Sequence, residues 1–387
     1  MTFPSLLRFV CVLWLVGSTL FAANEPIVAN TLPDLSLMRG GATTTLDVSN
    51  VFGLTGVTGP LVEFVFSGGH MFLELFPTTA PATVANFLRY TDNKVYDNTI
   101  IHRSEPGFVI QAGGYQCVTN LPHVTTYDPV PNEFSISNTA GTMAMAKVDG
   151  DLNSATSEWF VNLADNTGLD ADNQKFTVFG RLIGNGLGFC QSIAALPRVD
   201  LFPGDPTNSE DPNNYDPFNT LPVFNYTSGT VFLSNLLLLE TVRRVPLIKL
   251  DSTISGYLTL TATSSNPSVM VPTVTSNGLQ LTSGSTSGQA TITVTATDIY
   301  GQNVSTTFVG SALTPSYLVS LRASPSSYGS VRGGNTILAG SRITVKAIPR
   351  AHRRFRKWTE NGRTISTRAS YVFTVGSQRS LVAVFSR

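Results

Sequence analysis

The chain has 387 residues, of which 42% are hydrophobic, and formally no net charge; that length suits two or three domains with real cores. Charged residues make up only 13%, against the roughly 25% usual for soluble domains, which with the many Ser, Thr, Gly and Asn argues against a cytosolic enzyme and for an extracytoplasmic β-rich protein. The neutrality hides a segregation: residues 316–387 carry thirteen Lys or Arg against one acid, Glu360, leaving twelve basic and twenty-four acidic residues elsewhere. Such asymmetry creates a field that favours an anionic partner.

Met1–Ala23 reads as a signal peptide, with Arg8 as its basic start, Phe9–Val16 as its apolar run and Leu20–Ala23 as small residues for cleavage near Asn24. The run is too short for a membrane anchor, so no span is expected after cleavage. Cys11 leaves with it; the remaining Cys117 and Cys190 make no disulfide framework. Asn24–Gly56 alternates short β-favouring runs with Gly and Asn-Asp turns and reads as two strands, too few residues to fold alone.

Val57–Arg244 reads as one larger unit. Leu61–Phe66 and His70–Leu75 are predicted strands joined by a Ser-Gly-Gly turn. Thr79–Tyr90 is a predicted helix, with Thr79 as N-cap, Pro81 in the first turn and Val84, Phe87 and Leu88 as its buried face. Ile101–Gly114, IHRSEPGFVIQAGG, follows; a strand over Val109–Gln111 puts Val109 and Gln111 on one face. The result is a fixed cation, Arg103, beside an apolar surface with an amide nearby. Ala140–Gly180 holds AGTMAMA, NSATSEWFVNL and LDADNQKFTVFG, and Gly186–Leu196 is a second predicted helix with Leu187, Cys190 and Ile193 on one side. Arg198–Pro222, rich in Pro, Asn and Asp, reads as a solvated surface loop, and Val231–Val242 as the last strand of the unit.

Val245–Ala312 is Ser/Thr-rich with alternating runs such as Gln289–Thr297. It resembles a bacterial immunoglobulin-like or cadherin-like module that lacks its first strands, and Pro26–Gly56 supplies them in this reading. The unit between them is then an insertion, which neighbouring domain termini make inexpensive. Ser316–Arg387, with FRKWTENG at Phe355–Gly362 and strands over Leu318–Ala323, Arg342–Ile348 and Tyr371–Val375, resembles the internalin B-type repeat. Its run PRAHRRFRKW has five Arg or Lys in ten residues; it is read either as a face for an anionic cell-envelope polymer or as a solvated charged loop. Export argues against nucleic acid.

The ordered set in Ile101–Gly114 resembles the signature of the cyclophilin peptidyl-prolyl isomerases: Phe-His-Arg, a short gap, Pro-Gly-Phe, then Gln-Gly-Gly. Ala140–Gly180 follows in the order of the family's remaining pocket segments. The resemblance implies a mainly β fold: a closed antiparallel β-barrel with two helices, here carrying the sandwich and the small C-terminal module. It implies catalysed rotation about Xaa-Pro bonds in proline-containing polypeptides, with no cofactor and no metal. The amide barrier is about 18–20 kcal/mol. A donor aimed at the prolyl nitrogen loosens the C–N conjugation while an apolar pocket grips the ring. A thousandfold gain needs roughly 4 kcal/mol of differential stabilisation.

By the same resemblance Arg103 is the donor, Gln111 orients it, and Phe108, Val109, Phe160 and Leu169 line the proline pocket. Ala146 and the backbone at Lys147 receive the peptide. The chain departs from the pattern at five places: Ile101 for Phe, Val109 where many relatives have Met, Glu158 for Gln, Gly168 for a large aromatic, and Phe176 for His or Tyr at the rim. A carboxylate at 158 either diverts the donors of Arg103 or pins its fork; both remain open. The four histidines of the chain fall at scattered positions and make no metal spacing. The expectation is an exported isomerase of the periplasm, cell surface or medium. The rival readings are an adhesion protein that merely holds proline peptides and a holdase for unfolded envelope proteins.

Overall fold

The computed structural model describes residues 24–202, 217–251, 253 and 255–387; the expected leader and the middle of the 198–222 segment lie outside them. No helix among the described residues is long and apolar enough to cross a membrane. The chain divides into two compact units, one built mainly from Ser49–Leu260 and the other from Asn30–Val48, Thr261–Thr295 and Ser305–Arg387.

The first unit is a closed barrel. Its strands are β1 (Leu61–Phe66), β2 (Gly69–Leu75), β3 (Thr99–Glu105), β4 (Val109–Gln116), β5 (Thr142–Met145), β6 (Trp159–Asn162), β7 (Val178–Ile183) and β8 (Leu238–Val245), in the order β6-β4-β3-β8-β1-β2-β7-β5. Two helices pack on it, α1 (Pro81–Asp92) and α2 (Gly186–Ala194). The expected cap Thr79 plays no such part. The helix starts after Ala80, and the Glu133 carboxylate takes the N–H groups of Ala82 and Thr83 at 3.0 and 2.8 Å. A residue fifty positions away thus satisfies donors that a local side chain was expected to satisfy.

The last strand of the barrel pairs between β3 and β1 and covers Leu238–Val245, starting later than the expected Val231–Val242. The first half of the apolar run turns as a 3-10 segment, Leu233–Asn235, because the Asn235 amide bonds the carbonyls of Phe224 and Asn225 and its oxygen accepts from Phe232 N. The barrel is filled, not hollow. Phe64, Leu73, Phe87, Tyr96, Trp159 and Phe179 are buried together, with the Phe87 ring 5.0 Å from Phe179 and the Trp159 ring 5.1 Å from Phe64. Each such aromatic buries on the order of 150–250 Å². These side chains occupy the barrel interior.

The 198–222 segment is more than a solvated loop. Arg198–Val199 pairs with Leu221–Pro222, and Phe218, Leu221 and Val223 are buried with Ile100, Leu121 and Leu236. The Thr220 carbonyl accepts the Ser104 N–H at 3.0 Å, which braces the strand that carries Arg103. Both Cys117 and Cys190 are free thiols.

Asn24–Gly56 forms four short strands where two were read: Pro26–Val28, Leu35–Met38, Thr43–Leu46 and Phe52–Leu54. The outer two pair with each other in the barrel unit. In the second unit, Leu35–Met38 pairs in parallel with 310–313, and Thr43–Leu46 antiparallel with 279–282. Residues 316–387 form a five-stranded and a three-stranded sheet around Trp358, Val345, Leu381 and Phe385.

Candidate functional site

Alternation along the barrel strands sorts side chains onto two faces. Ile110, Ala112, Trp159, Val161, Met143 and Met145 point into the filled core, while Val109, Ala144, Phe160 and Val178 form a separate apolar cluster with Phe108, Ala146, Leu169 and Phe176. Register makes a row of this second face. Arg103 stands opposite Gln111, Gln111 opposite Phe160, Phe160 opposite Ala144, and Ala144 opposite Val178. Five strands therefore bring a cation, an amide and an aromatic ring side by side.

Over this row opens a cavity of about 630 Å³. Every residue expected at the site lines it: Arg103, Phe108, Val109, Gln111, Ala146, Lys147, Glu158, Phe160, Leu169 and Phe176. Tyr115, His123, Val148, Asp149, Ser154 and Thr156 complete the wall and were not foreseen.

Arg103 Nη1 donates to Gln111 Oε1 at 3.4 Å, and its guanidinium carbon lies 5.9 Å from the Phe108 ring centroid. The Glu105 carboxylate is 3.8 Å from Nε. Gln111 in turn donates Nε2 to Glu158 Oε2 at 2.7 Å. A carboxylate only accepts, so Glu158 forces the amide of Gln111 to turn its NH₂ inward and its oxygen toward Arg103. Glu158 holds the residue that holds the fork.

Two histidines hold Glu158. His123 Nε2 lies 3.1 Å from Oε1. His102 Nε2 lies 3.4 Å from Oε2, near enough to stabilise the charge yet outside hydrogen-bond geometry, and the ring is fully buried. Burial opposes the ionisation of Glu158, but His102, His123 and Gln111 outweigh it and hold the carboxyl well below the usual range. The hydrogen bond to Glu158 raises His123 above its ordinary value against the effect of burial. The two rings looked unrelated in sequence. β3 is bulged at His102: Ile101 faces Ala112 and Arg103 faces Gln111, so one residue is extra and Arg103 comes onto the Gln111 face. Plain alternation from Ile101, which lies in the core, would have turned Arg103 into the barrel.

The glycine pair after Gln111 has a steric reason. Gly113 has φ +88°, and a Cβ there would lie 2.7 Å from the Ser157 carbonyl oxygen and 2.9 Å from Trp159; a Cβ at Gly114 would lie 2.5 Å from Glu158 Oε1.

The pocket's far wall is a turn. Asp170 accepts from Asn138 N and Nδ2 at 3.0 and 2.9 Å and from the Ser137 hydroxyl, fixing the 3-10 turn Thr167–Asp170 that presents Leu169. Asn166 Nδ2 donates to the Phe108 carbonyl at 2.8 Å. Phe176 meets Phe160 edge-on at 5.4 Å, with Lys147 Nζ 4.5 Å above it. A Cβ on Gly168 would meet nothing within 4 Å, so the rim beside Leu169 is open. The N–H of Ala146 is committed to the Glu158 carbonyl at 2.9 Å. No group of three or more His, Cys, Asp or Glu among the described residues is arranged to hold a metal ion. The arrangement offers a positioned donor at the edge of an apolar slot.

Residues 61–212 match the family model described as cyclophilin type peptidyl-prolyl cis-trans isomerase/CLD, and residues 319–387 match the divergent InlB B-repeat domain. The chain is 39% identical to the peptidyl-prolyl cis-trans isomerase of Acinetobacter baylyi over 141 residues, which covers 35% of this chain and 73% of that protein. It is 33% identical to isomerase B of Escherichia coli over 146 residues, 37% of this chain and 84% of that protein. A solved cyclophilin-type isomerase of Cryptosporidium parvum is similar at 19% identity and TM-score 0.36, covering 48% of this chain and 98% of that one.

Proposed function

The chain belongs to the cyclophilin-type peptidyl-prolyl cis-trans isomerases, and from that premise we propose that Arg103 is the donor to the prolyl nitrogen in an exported isomerase. Its clients in this reading are proline-containing polypeptides of the cell envelope or secreted proteins, and its basic module holds it at an anionic envelope polymer. The observation that carries the catalytic part is the cross-strand row: Arg103 is positioned through Gln111 next to Phe160 over an open cavity. The proline ring enters the slot of Phe108, Val109, Phe160 and Leu169. The guanidinium then bonds the nitrogen as it loses conjugation, an interaction absent from the planar ground state. Only such a bond raises the rate. A charge-assisted bond contributes about 1.5–3 kcal/mol, and the pocket supplies the remainder by holding one side of the bond still. No proton, nucleophile or electron moves.

Exchange spectroscopy on a proline tetrapeptide tests this. Arg103→Ala is expected to lower kcat/KM by about 10–150-fold, the equivalent of that bond, with the fold intact; undiminished exchange would remove Arg103 from the role. Export rests on the composition and on the leader-like Met1–Ala23. N-terminal sequencing of the mature chain should begin near Asn24, and an intact Met1 in a cytosolic fraction would refute export.

A further inference from the structure

His123 stands between two acceptors. Its Nδ1 lies 2.9 Å from the Val124 carbonyl oxygen and its Nε2 lies 3.1 Å from Glu158 Oε1. A carbonyl and an ionised carboxylate only accept. A neutral imidazole has one N–H, so one of its nitrogens would turn a lone pair on an oxygen; the imidazolium alone donates to both. The surroundings fix the ring in this place. The backbone of His123 bridges to Tyr115, and the two rings meet edge-on with centroids 5.0 Å apart. The side chain is 40% exposed, so its proton exchanges with solvent. The hydrogen bond to Glu158 outweighs burial and, with the Val124 carbonyl, raises the imidazole above its ordinary value.

Two further bonds link that proton to Arg103. Glu158 Oε2 accepts from Gln111 at 2.7 Å, and Gln111 Oε1 accepts from Arg103 Nη1 at 3.4 Å. The last contact is near the limit of a hydrogen bond, so a small turn of the amide breaks it. The charged and titratable groups around His123 are Glu158 on β6, Tyr115 on β4, His102 and Arg103 on β3, and Lys147 and Asp149, which share its cavity wall. His102 does not replace His123: it lies 3.4 Å from the other carboxylate oxygen, outside hydrogen-bond geometry. When His123 is neutral and keeps its bond to Val124, a lone pair faces Glu158 Oε1. The carboxylate then turns from the ring, drawn by the cations of the same cavity, Arg103 and Lys147. That movement releases Gln111 or occupies the fork.

We propose that protonated His123 is a positioning residue for the isomerase: it holds Glu158 on Gln111 and off the Arg103 fork, so the proton on that ring sets the rate of exchange. The proposal rests on the reading of Arg103 as donor. Glu158 then pins the fork while His123 is charged and diverts it once His123 is neutral. Exchange rates of the full chain on a proline tetrapeptide with blocked ends and no ionisable side chain test this, from about pH 6 to about pH 9, the range in which a raised imidazole loses its proton. The wild-type kcat is expected to fall about three- to tenfold as pH rises, the scale of a misdirected group. KM should stay constant, because the Arg103 bond forms only in the transition state. The midpoint should coincide with that of the His123 ring protons in proton NMR. His123→Gln offers an N–H that does not titrate, and its rate should stay at the acid-side level throughout. His123→Ala should show the alkaline-side rate at every pH. The residual rate of Arg103→Ala should not vary with pH. A flat wild-type profile, a rate midpoint apart from that of His123, a His123→Ala protein as fast as wild type on the acid side, or a His123→Gln protein as slow as His123→Ala would each overturn the proposal and leave Arg103 as donor. A residual Arg103→Ala rate that titrates like wild type would overturn it as well. Undiminished exchange by Arg103→Ala would remove the donor, and this proposal with it.

Discussion

Glu158 is the residue of this site whose role can be measured by titration. Its carboxylate is depressed against burial by His102, His123 and Gln111, and the His123 imidazole is raised by its hydrogen bond to Glu158. The signs differ. A depressed carboxyl adds stability that is present above its unfolded value, near 4.3, and lost as pH falls toward the folded one. A raised imidazole adds stability that is full below about 6.5 and lost as pH rises through the folded value. The pair is thus complete from the mid-4s to the raised value of His123. Glu158→Gln keeps an acceptor oxygen for Gln111 at the same side-chain length, so kcat/KM should stay within about threefold, a shift of under 1 kcal/mol. Proton NMR should show His123 titrating lower in that variant. An unchanged midpoint would mean the two groups do not interact in solution.

At the scale of elements, the barrel is tied at its closing seam by one buried acid. Glu63 on β1 is only 2% exposed. It receives Arg243 from β8 at 2.8 and 2.9 Å and lies 3.0 Å from His70 Nδ1 on β2. Burial opposes its charge, but His70, Ser255 and Arg243 more than compensate and lower it to about 2. By linkage this contributes roughly 3 kcal/mol at neutral pH, lost as pH falls from about 4.5 toward 2. Glu63→Gln should lose a similar amount at pH 7 in urea unfolding, and the gap to wild type should close by pH 2. A gap that stayed constant with pH would assign the loss to packing instead. The same logic of distant partners governs α1, whose first turn is capped by Glu133 and not by a neighbour.

For the whole molecule we infer that the barrel is an insertion into a second β-structure. The strands Leu35–Met38 and Thr43–Leu46 lie before the barrel in sequence, and their partners at 310–313 and 279–282 lie after it. Eight residue pairs span more than 230 positions in this way, so the contacts close a long loop whose cost grows only slowly with length. Proteolytic cuts between residues 48 and 61 should leave the 24–56 fragment bound to the 245–312 region until denaturant is added. Free release of the fragment under native conditions, with 245–312 still folded, would exclude the insertion.

The sequence by itself determined the family and most of the elements of the barrel. Val109 and Gln111 are legible because the period of two of a strand puts them on one face, whereas Arg103, Phe108 and Phe160 are legible only through the resemblance of the motif that carries them. Tertiary structure decided what has no local signal. The bulge at His102, the His102–Glu158–His123 cluster, the Glu133 cap and the pairing of Arg198–Val199 with Leu221–Pro222 each join residues far apart in the chain or break an alternation. Local propensity and spacing carry no information about such meetings, since they exist only when separate strands fall into register.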